Sequence, residues 1–74
     1  MSRHIDYGDL RRFANEIAAK LVADLKAGSI PKIGGDDIHF AVNAKDVSLG
    51  AILSGEQLDT LEDLTCRAVV EKCA

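Results

Sequence analysis

Aromatic side chains are nearly missing from this 74-residue chain: Tyr7, Phe13 and Phe40 are the only three, and there is no tryptophan. A core without large rings has to come from Leu, Ile, Val and Ala, which bury less area per side chain. Long apolar runs are missing too, so no segment of roughly eighteen residues is fit to span a membrane. Met1 to His4 lead directly into the first helix start, with no apolar stretch of the signal-peptide kind, and a cytoplasmic location is the expectation. Cysteine occurs twice, at Cys66 and Cys73. Seven residues along one helix place the two thiols about 10 Å apart by axial rise. That is too far for an intrachain disulfide, so both read as reduced thiols, in keeping with the cytosol.

Concentrated positive charge is also lacking. Nine Lys and Arg stand against twelve Asp and Glu, for a net charge of −3, and only Arg11 and Arg12 adjoin. A duplex binder gathers cations on one face to displace counterions. Catalytic groups are few: His4 and His39 are the only imidazoles, and Ser29, Ser48 and Ser54 have no base near them in sequence. Gly34-Gly35 lacks the spacings of a phosphate-cradling loop. A chain of this size removes only about 60% of its unfolded-state surface from water, and has little core to give up to a pocket. No enzyme activity, cofactor or metal is expected. The one place where ligand types gather is Asp36-Asp37-Ile38-His39. Strand alternation there turns Asp37 and His39 to one face, and a metal-assisted enzyme that recruits His4 is the third functional reading.

What the chain does have is sharply punctuated amphipathic helix. Asp6 reads as an N-cap, with Ile5 and Leu10 at the two positions of a hydrophobic staple. Leu10, Phe13, Ala14, Ile17, Ala18, Leu21, Val22 and Leu25 then repeat at helical spacing. Lys26, Gly28 and Pro31 give the stop, so the spacing predicts a helix over 7–27 and a connector over 28–37. Arg12, Glu16, Lys20 and Asp24 form an alternating i, i+4 ladder on its polar side. At the other end, Ser54 and Gln57 form a capping box ahead of a second helix over 55–72. Leu58, Leu61, Leu64, Thr65, Ala68 and Val69 line its main arc, and Cys66, Val70 and Cys73 a weaker stripe beside it.

Between the helices, Ile38-His39-Phe40-Ala41-Val42-Asn43 alternates strictly, which is the pattern of a half-buried strand. Val47 to Leu53 reads either as a returning strand or as a short helix capped by Asp46, with Gly50 weakening both. The hairpin is preferred, because one strand alone leaves a row of backbone donors and acceptors unpaired. The expectation is therefore one α+β domain over 1–74. It has a long N-terminal helix, a short central β-hairpin over 38–53 (or a single strand paired across a dimer) and a C-terminal helix.

A wide apolar arc on the first helix points to self-association through Val22 and Ala23, or through Cys66, Val70 and Cys73 of the last helix. The acidic start of the last helix (Glu56, Asp59, Glu62, Asp63) suits a basic patch on a partner. Arg11 and Arg12, with Arg3 and His4, suit an acidic group or a phosphate. The leading functional expectation is a small homodimeric, non-enzymatic module that inhibits or regulates a larger protein or nucleoprotein complex. In size and mild acidity it is similar to accessory proteins of phages and mobile elements, anti-CRISPR inhibitors among them. The alternative is a small dimeric transcriptional regulator that contacts nucleic acid.

Overall fold

Asp6 and Asp9 fix where the first helix begins. The Asp6 carboxylate accepts from the Asp9 backbone N–H at 2.9 Å, and the Asp9 carboxylate accepts from the Asp6 N–H at 3.2 Å. Two of the donors that a helix start leaves orphaned are thereby satisfied. In the computed structural model, which describes residues 5–50 and 53–73, that helix is α1 (Tyr7–Lys26), followed by α2 (Gly35–Ser48) and α3 (Gly55–Cys73). Ile5 and Leu10 are both buried, as the staple requires. At the other end Gly28 takes a left-handed φ of 80°. Its N–H donates to the Leu25 carbonyl at 3.1 Å and the Ser29 N–H to the Asp24 carbonyl at 2.9 Å, a complete Schellman stop.

No strand occurs among the described residues, so the α+β expectation is corrected to an all-α fold. The segment read as a hairpin is α2. Ile38 and Val42 satisfy an alternating pattern and an i, i+4 helical pattern equally, and Phe40 separates the two. In a strand Phe40 shares their buried face; in the structure Ile38 and Val42 are buried while Phe40 is 77% exposed on the opposite side. Asp37 supplies the start signal, accepting from the Gly34 N–H at 2.8 Å as the third helical residue. Gly50 supplies the stop: its φ is +79°, and its N–H donates to the Val47 carbonyl at 3.1 Å. Ala51 and Ile52, within the expected second strand, lie outside the described residues.

Gly50 makes a direct test of this helix end. A Cβ added there meets nothing within 4 Å, so its penalty comes from the backbone alone. Gly50→Ala is expected to cost about 1–2 kcal/mol, the usual left-handed penalty of an L-residue. Urea denaturation followed by circular dichroism measures it; an unchanged midpoint would count against a left-handed stop at this position.

Side-chain partners set the topology. Gln57 Nε2, at the start of α3, donates to the Ile5 carbonyl ahead of α1 at 2.9 Å, so α1 and α3 run parallel from the same end. Lys45 near the end of α2 meets Glu16 of α1, and His39 near its start meets Glu62 of α3, so α2 touches both. The principal pairing is α1 with α3; α2 leans on α3 and touches α1 only lightly. This explains the wide apolar arc of α1. Phe13 and Ile17 face α2, while Ala14 and Val22 look onto recesses shared with α3. The arc is broad because two helices of its own chain lie against it. Thr65 sits inside, fully buried, with its hydroxyl donating to the Leu61 carbonyl at 2.7 Å.

Candidate functional site at the outer face of the second helix

α2 is apolar on both sides. Ile38 and Val42 face the core, with Ala41 and Leu49 packed partly against it. Phe40, Ala44 and Val47, at i, i+4 and i+7, form a second stripe facing away from the core, and Val47 is 76% exposed. A helix apolar all round normally has cover on every side. Here the outer stripe has little cover among the described residues, with Phe40 77% and Val47 76% exposed.

Beside that stripe runs a cleft of about 630 Å³ between α1 and α2. Phe40, Ala41 and Ala44 form one wall, Ile17 and Leu21 the floor, and Ile30 of the α1–α2 connector closes one part. The rim is charged. Glu16, Lys20 and Asp24 stand on α1, and Asp36, Asp37 and Lys45 on α2. Lys45 Nζ lies 3.2 Å from Glu16 Oε2 and 4.9 Å from the centre of the Phe13 ring, so the bridge over the cleft is stapled to the core aromatic. Glu16 is thus tied to α2 and does not serve the α1 ladder expected from its spacing.

The expected partner-binding acids are divided. Glu56, Asp59 and Asp63 share one exposed face of α3 at i, i+3 and i+7, and Asp63 pairs with Arg67 at 3.1 Å. Glu62 turns toward α2, where the His39 Nδ1 lies 2.6 Å from its Oε1. Arg12 is held by Asp9 at 2.9 Å and lies 5.6 Å from the Phe13 ring centre; Arg11 remains exposed. Arg3 and His4 lie outside the described residues. Among the expected dimer-interface residues, Val22 is only 6% exposed and is covered within the chain. Ala23 is exposed, as are Cys66, Val70 and Cys73 on the outer side of α3.

Asp37 and His39 do not meet. Two residues apart on a helix, they point in nearly opposite directions. Asp37 is engaged with the Gly34 N–H and His39 with Glu62. The shared face expected from strand alternation disappears with the strand. No group of three or more His, Cys, Asp or Glu able to hold a metal occurs among the described residues. Nor is any described helix long and apolar enough to cross a membrane.

No known family, curated protein or solved structure matches this chain. The function has to be argued from its surface.

The outer stripe of α2 is the feature that sequence reasoning missed. Alternation places Phe40 on a strand's buried face. Read at helical spacing, Phe40, Ala44 and Val47 carry the signal themselves, provided that Asp37 and Gly50 are first taken as the helix's two ends.

Proposed function

We propose that this protein is a small, non-enzymatic docking module that inhibits or regulates a larger protein, in the manner of the accessory proteins of phages and mobile elements. The supporting observation is the outer face of α2, where Phe40 and Val47 leave about three-quarters of their surface to water. An exposed phenylalanine on a regular helix, beside an apolar-walled cleft, is the usual form of an interface anchor. Nucleic-acid binding has less support, because Arg12 is engaged by Asp9 and carboxylates outnumber cations around the cleft. A second surface belongs to the same proposal. Val70, 68% exposed between Cys66 and Cys73, is the place where two copies of the chain meet.

Site-specific photo-crosslinking in the source cell tests both surfaces. A photoreactive residue at position 40 is expected to yield one discrete adduct with another protein, and at position 70 an adduct of twice the chain mass. Nucleic acid alone, or no adduct, at position 40 would remove the docking reading. A position-70 probe that never captures a second copy would remove self-association.

A further inference from the structure

We propose that the cleft between α1 and α2 is the seat of a single basic, amphipathic helix supplied by a partner protein. The proposal rests on the docking reading above and names its occupant. Three observations carry it. α1 and α2 both pack on α3 and touch each other only lightly, which leaves the cleft of about 630 Å³ between them. Its apolar lining is at helical spacing, with Phe40 and Ala44 exposed on the α2 side and Ile17 and Leu21, only 8% and 9% exposed, at the floor. Such a groove takes a helix by its i, i+3, i+4 and i+7 side chains. The residues of α2 that line it run from Asp36 to Lys45, so the seat is about 14 Å long, or between two and three helical turns of the occupant.

Charge selects the kind of helix. Four carboxylates and two ammonium groups stand on the rim. Glu16 and Lys45 neutralise one another, and Asp37 is engaged with the backbone of Gly34. Asp24 and Asp36 make no ion pair among the described residues, and Lys20 is the one cation left near them. A helix with lysine or arginine flanking its apolar stripe meets these carboxylates. A second copy of this chain is a poor occupant. Its own exposed apolar helix, α2, begins with Asp36 and Asp37 and has already committed Lys45 to Glu16, so acid would face acid.

Two dye-labelled synthetic peptides of about sixteen residues, longer than the seat, provide the test. Both carry leucine at i, i+3, i+4 and i+7; one has lysine at the flanking positions and the other glutamate. Fluorescence anisotropy against the full chain is expected to show saturable one-to-one binding of the lysine peptide. The glutamate peptide is expected to bind at least about tenfold more weakly. Phe40→Ala is expected to weaken the lysine peptide by about tenfold or more, as loss of an aromatic anchor does. Asp24→Lys combined with Asp36→Lys is expected to reverse the preference between the peptides. Val70→Glu, on the far side of α3, is expected to leave both affinities unchanged. Phe40, Asp24 and Asp36 are not core residues, and circular dichroism of each variant checks that the helices persist. Equal binding of the two peptides, or binding indifferent to Phe40→Ala, overturns the proposal. A dimer in light scattering that Phe40→Ala dissolves also overturns it, since the cleft then holds a second copy. A protein adduct at position 40 without peptide binding refutes the basic-helix occupant and leaves the docking reading standing. Absence of any such adduct removes the docking reading itself.

Discussion

Replacing Leu61 with alanine is expected to unfold most of the protein at room temperature. Leu61 is 0% exposed, at the middle of α3 and in the core cluster shared by all three helices. Deleting a fully buried leucine to the β-carbon costs about 2–5 kcal/mol, from lost burial and from the cavity left behind. A core of this size supplies net stability of only about 3–5 kcal/mol. The substitution therefore removes most or all of it. Circular dichroism at 222 nm should show the helical signal largely lost without denaturant. Retention of the wild-type urea midpoint would mean that this core can collapse around the missing side chain.

Ile38→Ala is expected to have a large effect of another kind, confined to one helix. Only Ile38 and Val42 of α2 are buried, so this helix has a small share in the core. Its other ties are the partly buried Ala41 and Leu49, Lys45 over the Phe13 ring, and two charge pairs, His39 with Glu62 and Lys45 with Glu16. Exposed pairs of that sort contribute about 0–1 kcal/mol each. The lost burial of Ile38, about 2–5 kcal/mol, exceeds what remains to hold α2 in place. The expected result is that amides of α2 exchange with deuterium at nearly the rate of an open chain while those of α1 and α3 stay protected. Peptide binding at the cleft should vanish with them. Uniform loss of protection across the three helices would show that α2 is cooperative with the α1–α3 pair.

The two outer helices were legible in the sequence because their ends are marked by side chains with one evident use. Asp6, Ser54 with Gln57, and the staple Ile5–Leu10 all point to helix starts at the observed places. The Gly28 stop ends α1 one residue before the expected position and α3 runs one residue beyond it. The middle helix was illegible for a physical reason. Ile38 and Val42 belong to both periodicities, and six residues of alternation are too few to show that Phe40, which fits only the strand's buried set, is on the surface. The missed clues lay outside the apolar pattern, in Asp37 reaching back to Gly34 and in Gly50, which plays the same part as Gly28. The candidate site was lost with the helix, since a phenylalanine taken as core is not examined as surface. Val22 is the converse case: its place on a wide arc suggests a second molecule, yet within its own chain it is only 6% exposed.

The hydrogen bond from Gln57 to the Ile5 carbonyl joins residues 52 positions apart. The most extensive pairing, α1 with α3, is between helices that are not neighbours along the chain, and the intervening α2 adds little of its own. Bringing such distant segments together costs loop-closure entropy that grows with the logarithm of their separation, about 0.6 kcal/mol per doubling. That cost falls before any compensating contact has formed. Small helical bundles rich in local contacts fold in microseconds to milliseconds. This chain belongs at the slow end of that range. Until α1 and α3 meet, their apolar faces stand open together.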